Sequence, residues 1–74
     1  MAEKLGLMGL ADLFSGAMKD RLNEKEAEGW EGWDNRKDMQ VFEGGLERRI
    51  IRNILDGHWV DVANLAMFAW NFER

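Results

Sequence analysis

Trp59–Phe72, WVDVANLAMFAWNF, is the stretch that decides the fold. It is apolar almost all the way round a helix, with Asp61 and Asn64 near its beginning. A helix of this kind has to be buried on several sides. In a chain of 74 residues little else is available to cover it. The expected architecture is therefore all-α and a single domain over 1–74. Two further helices and a Trp-bearing loop wrap around the terminal helix as a small three-helix bundle.

Working outward, Asp56-Gly57 closes the preceding helix, Gly being preferred just past a helix C-terminus. The turn into the terminal helix is very short, which favours antiparallel neighbours. Met39, Phe42, Leu46, Ile50 and Ile54 recur at spacings of three and four, which predicts a second helix over Arg36–Leu55. Its apolar stripe runs through Gly44-Gly45, a pair that either admits a close helix neighbour or marks a kink. Asp34 or Asn35 supplies its N-cap. Before it, GWEGWD (29–34) lacks periodicity and reads as a loop. Leu7, Leu10, Phe14, Met18 and Leu22 place a first helix over about Glu3–Ala27. Gly6, Gly9 and Gly16 weaken its beginning.

A chain this short buries only about 60–65% of its unfolded surface. With no Cys, disulfides cannot compensate. Oligomerisation is the natural remedy for a helix without a polar face, so a homo-oligomer is expected. No run approaches the roughly 20 apolar residues that span a bilayer. Glu3 and Asp12 interrupt any signal-like segment. The chain reads as cytoplasmic with no membrane association. A net charge of −4 argues against direct binding to a nucleic-acid backbone.

The charges are unevenly spread. Glu24, Glu26, Glu28, Glu31 and Asp34 crowd the middle, while Arg48, Arg49 and Arg52 gather later. The acids are either a solvated helix end and loop or a surface for a basic partner. Trp30 and Trp33 either close the open end of the core or serve as a stacking platform or partner hot spot. If the second helix is continuous, about 100° of rotation per residue sets Glu43 and Glu47 beside Ile50 and Ile54. Two acids there are costly unless a cation compensates. With Asp61 as a third oxygen ligand, they form a candidate site for Mg²⁺ or Mn²⁺. If the glycines break the helix, that phase is lost. Asp61 is then a first-turn carboxylate stabilised by free backbone N–H groups, and Asn64 a hydrogen-bonding group at a helix interface. His58 is the only His, and no nucleophilic triad or phosphate-binding glycine loop is present.

Gly29-Trp30, Gly32-Trp33-Asp34-Asn35 and Asp61-Val62-Ala63-Asn64-Leu65-Ala66-Met67-Phe68 together resemble small phage and prophage proteins that read GGWDN early and DVANFAMM late. Many of these are similar to the all-α MazG-like nucleotide pyrophosphohydrolases. The resemblance implies a helical oligomer that binds Mg²⁺ through acidic motifs on two helices and cleaves nucleoside triphosphates to monophosphate and pyrophosphate. It places Asp61 as the last acid of the second metal motif and Asn64 as the Asn that follows it. His58 stands where that motif has another acid, and Arg48 and Arg49 stand where the first motif has further acids. This pattern weakens metal binding and suits an anion.

Three functions are compatible with these features. The leading expectation is a phage-type accessory protein that binds a host or bacterial protein, with inhibition as one outcome of binding. Its acidic, Trp-bearing surface (Trp30, Glu31, Trp33, Asp34) would make the contact. The alternative is a Mg²⁺- or Mn²⁺-dependent pyrophosphohydrolase using Glu43, Glu47 and Asp61. The third is nucleotide capture without cleavage, with Asn64, Arg48, Arg49 and Arg52 on the nucleotide and a Trp stacked on its base.

Overall fold

The terminal helix is the hub onto which the other two pack. The structure, a computed structural model, describes residues 6–31, 33 and 45–74. The expectations for Asp34, Glu43 and the first half of the second helix lie outside the described residues. Those residues form α1 (Leu7–Ala27), α2 (Leu46–Leu55) and α3 (Trp59–Glu73), with no strand among them. The all-α expectation therefore holds. Both α1 and α2 pack against α3. Leu46 of α2 and Leu65 and Phe68 of α3 are buried. Leu22, Trp30, Ile50, Met67, Ala69 and Phe72 pack around them half-buried.

α1 begins at Leu7, one turn later than expected, because Gly6 is extended at φ −72°, ψ 167°. Only the second half of its apolar stripe is used within the chain. Met18 and Leu22 are half-buried, whereas Leu7 is 81% exposed and Leu10 56%. The cause is length. At about 1.5 Å per residue, α1 extends roughly 31 Å and α3 roughly 22 Å, so one end of α1 outruns its support. α3 is covered from two helices, with Asn64, Leu65 and Phe68 buried and Val62, Ala63, Met67, Ala69 and Phe72 half-buried around them, while Trp59, Ala66 and Trp70 stay exposed.

The second helix also departs from its expected span. Gly45 sits at φ 106°, ψ 170°, a conformation that cannot continue a helix, and α2 starts at Leu46. The periodic stripe thus does not run on one continuous helix from Arg36 to Leu55. Glycine alone takes such a φ at little cost, so Gly45 sets where α2 begins.

Two helix ends share one device. Gly29 N–H donates to the Glu26 carbonyl (3.0 Å) and Trp30 N–H to the Lys25 carbonyl (3.0 Å). At the end of α2, Gly57 N–H donates to the Ile54 carbonyl (3.1 Å) and His58 N–H to the Asn53 carbonyl (2.9 Å). Both are Schellman closures, with Gly29 at φ 82° and Gly57 at φ 73°. They satisfy the last carbonyls and turn Trp30 and His58 back toward the bundle.

Candidate functional site

Helical spacing on all three elements builds one concave face. α3 contributes Asp61, Asn64, Leu65 and Phe68, spaced three, one and three apart. α2 contributes Arg49, Arg52 and Asn53, and α1 contributes Arg21, Leu22 and Lys25. Each set lies on one side of its helix. Trp30 and His58, delivered by the two Schellman closures, complete the wall of a cavity of about 320 Å³. Leu22, Leu65 and Phe68 give it an apolar floor that belongs to the core.

Among the described residues, Arg21, Lys25, Arg49 and Arg52 line the cavity with one carboxylate, Asp61. None of the four is without a partner, since Arg21 meets Glu24 and Asp61, Lys25 meets Glu28, and Arg49 and Arg52 have interactions of their own. The Asp61 carboxylate is engaged, since Arg21 Nε donates to Asp61 Oδ1 at 3.0 Å while Arg21 Nη1 donates to Glu24 Oε2 at 2.8 Å. Arg21 so ties α1 to the first turn of α3. The hydrogen bond to Glu24, and then that to Asp61, pushes the guanidinium above its ordinary range, so it stays charged at any working pH. On α2, Asn53 Nδ2 donates to the Arg49 carbonyl at 2.8 Å, and His58 Nδ1 lies 3.4 Å from Asn53 Oδ1.

Asn64 is the most confined polar group of the site, at 4% exposure. Its Nδ2 donates to the Met18 carbonyl on α1 at 3.3 Å, a bond across a helix interface. Its Oδ1 is buried with no hydrogen-bond partner. A buried acceptor in that state loses the solvation of its lone pairs without replacement. The oxygen exposes no surface to the cavity, so its unmet acceptor is a cost of the helix contact.

The residues singled out from sequence divide clearly. Arg49, Arg52, Asn64, Asp61 and Trp30 come together at the cavity, whereas Arg48 is exposed and not part of its lining. Trp30 and Trp33 both lie against Phe68, with ring centroids 5.7 Å away in each case, so they do close one end of the core. Glu31 is exposed beside them. Glu47 is exposed in the first turn of α2, where it suits the helix dipole. Among the described residues, no three carboxylate or imidazole groups gather to hold a metal ion. With Asp61 held by Arg21 and cations around it, the described residues do not fit Mg²⁺ or Mn²⁺.

Arg21, Lys25 and Asn53 were not anticipated. The spacing of four between Arg21 and Lys25 is visible in the sequence, but Arg21 meets Asp61 across 40 positions, and nothing local indicates that. Chemically the arrangement sets guanidinium and ammonium groups beside an aromatic wall. In comparisons with known proteins the chain matches no family profile, no curated protein and no solved structure.

Proposed function

We propose that the protein captures a nucleotide in the cavity between its three helices, without cleaving it. The observation that carries this reading is the convergence of Arg21, Lys25, Arg49 and Arg52 on a hollow walled by Trp30. Guanidinium groups bind phosphate oxygens through paired, charge-assisted hydrogen bonds. An indole face supplies stacking for a base. The volume lies at the lower end of the roughly 300–1,000 Å³ of small-molecule pockets. The α3 resemblance to MazG-like enzymes points to the same ligand class. Cleavage is the weaker part of that resemblance, because Asp61 is occupied by Arg21.

The test is calorimetric titration with ADP and ATP of the native chain, Arg49→Glu and Arg48→Glu. Arg49→Glu is expected to lose about tenfold or more in affinity, and Arg48→Glu to stay within about twofold. Equal losses from both would reduce the attraction to overall charge and remove the cavity from the account.

A second reading, docking on a protein, is supported by a different observation. Leu7, Met8, Leu10 and Leu13 lie exposed along the overhanging half of α1. Large contiguous apolar surfaces of this type mark protein contacts. A host protein or a second copy of the chain would cover it, and the two activities are compatible on one molecule.

A further inference from the structure

A second cavity shares a wall with the basic one but has the opposite character. It measures about 200 Å³ and is lined by Leu22, Glu26, Trp30, Trp33, Met67 and Phe68. Leu22, Trp30 and Phe68 face both hollows. Four cations line the first, whereas Glu26 is the only charged group among the described residues lining the second.

Three aromatic rings gather here. The Trp30 and Trp33 planes are tilted by 43° and 31° to Phe68. Trp33 remains 43% exposed, so much of its ring is open to a visitor. Aromatic faces carry negative potential and attract cations, Trp most strongly. Glu26 adds a full negative charge. Unlike Glu24 and Glu28, which meet Arg21 and Lys25, it has no ion-pair partner among the described residues. Exposed Glu31, beside Trp30 in the chain, adds the same sign.

An aliphatic visitor would fit the apolar walls but would strip water from Glu26 with nothing in return. A cation on an apolar stem satisfies both. We infer that this cavity takes an arginine side chain presented by a protein partner. The planar guanidinium stacks on a Trp face and forks to the Glu26 carboxylate, while its methylenes lie along Leu22 and Met67. An ammonium is more strongly hydrated and cannot stack and fork together, so lysine is the poorer occupant. The inference rests on the protein-docking reading and gives it a specific contact. It does not require a nucleotide in the basic cavity, although Leu22, Trp30 and Phe68 line both.

The test uses the whole chain and a minimal probe, N-acetyl-glycyl-arginyl-glycinamide, against its citrulline counterpart, which has the same shape without the charge. The four indole N–H signals are followed by NMR during titration, Trp59 and Trp70 serving as internal controls. The arginine peptide is expected to shift Trp30 and Trp33 saturably, with the citrulline peptide about fivefold or more weaker. Glu26→Gln, at an exposed position that leaves the fold intact, should weaken the arginine peptide by about three- to tenfold. Equal binding of citrulline, equal shifts at all four indoles, or no saturable shift into the tens of millimolar would each overturn the inference. Such a failure would leave docking through the apolar strip of α1 untouched, since that strip lines neither cavity.

Discussion

Asn64 shows a buried amide spent on joining two helices with half of its bonding unused. Its amide nitrogen is used on Met18 and its oxygen is not used at all. Asn64→Leu removes one hydrogen bond but also one unsatisfied acceptor. Denaturant unfolding should therefore move by no more than about 1 kcal/mol. A loss of several kcal/mol would mean that the oxygen has a partner. Asp61 separates capture from catalysis. Asp61→Asn takes the carboxylate partner from Arg21, a partly exposed pair worth about 0.5–1 kcal/mol, and strengthens the positive field of the cavity. Nucleotide binding should tighten a few-fold. Binding abolished by this change would favour the metal-ligand role for Asp61. Arg21 is held above its ordinary range, so its share of stability is full below that range and lost only as pH rises through it. No acid-range transition should come from this group.

At the scale of elements, two glycines fix the walls of the cavity. Gly29 and Gly57 have open space where a Cβ would sit, so Ala at either position is opposed by its positive φ alone. Gly29→Ala and Gly57→Ala should each cost about 1–2 kcal/mol in chemical denaturation. Gly16→Ala, with open space and no positive φ, should be neutral or stabilising by up to about 1 kcal/mol. A similar cost at all three positions would refute the assignment to backbone conformation. These same residues explain how far the sequence could be read. Gly57 after Ile54-Leu55-Asp56 announces the end of α2, and Gly29 does so for α1, because punctuation by glycine is a local property. The Gly44-Gly45 pair marked the place in the sequence but left two readings open, since the apolar positions keep helical spacing on both sides of it. Trp30, Arg49, Arg52 and Asn64 were legible as candidates. Their meeting with Arg21 and Lys25 was not, because it depends on how α1 is rotated against α3.

At the scale of the whole molecule, the chain is long for its core. Its radius of gyration is 14.0 Å, against about 11 Å for a compact domain of this length, and its long dimension is 46 Å. Among the described residues three apolar side chains are buried, while Leu7, Leu10, Trp59 and Trp70 are left largely exposed. Self-association is expected to bury the overhang of α1. Multi-angle light scattering should find more than one chain per particle, and Leu7→Glu with Leu10→Glu should shift the distribution toward one chain and lower the unfolding midpoint at fixed concentration. A strict monomer for the native chain at high concentration would assign that face to a different protein.

The account stands or falls on the basic cavity. Its most direct test is an NMR map of the side-chain N–H groups on adding ADP. The account predicts saturable shifts at the Trp30 indole, the Asn64 amide and the Nε–H groups of Arg21, Arg49 and Arg52, with Arg48 and Arg74 unmoved. Shifts confined to Arg48, Arg74 or the exposed indoles of Trp59 and Trp70, or none at all, would contradict it.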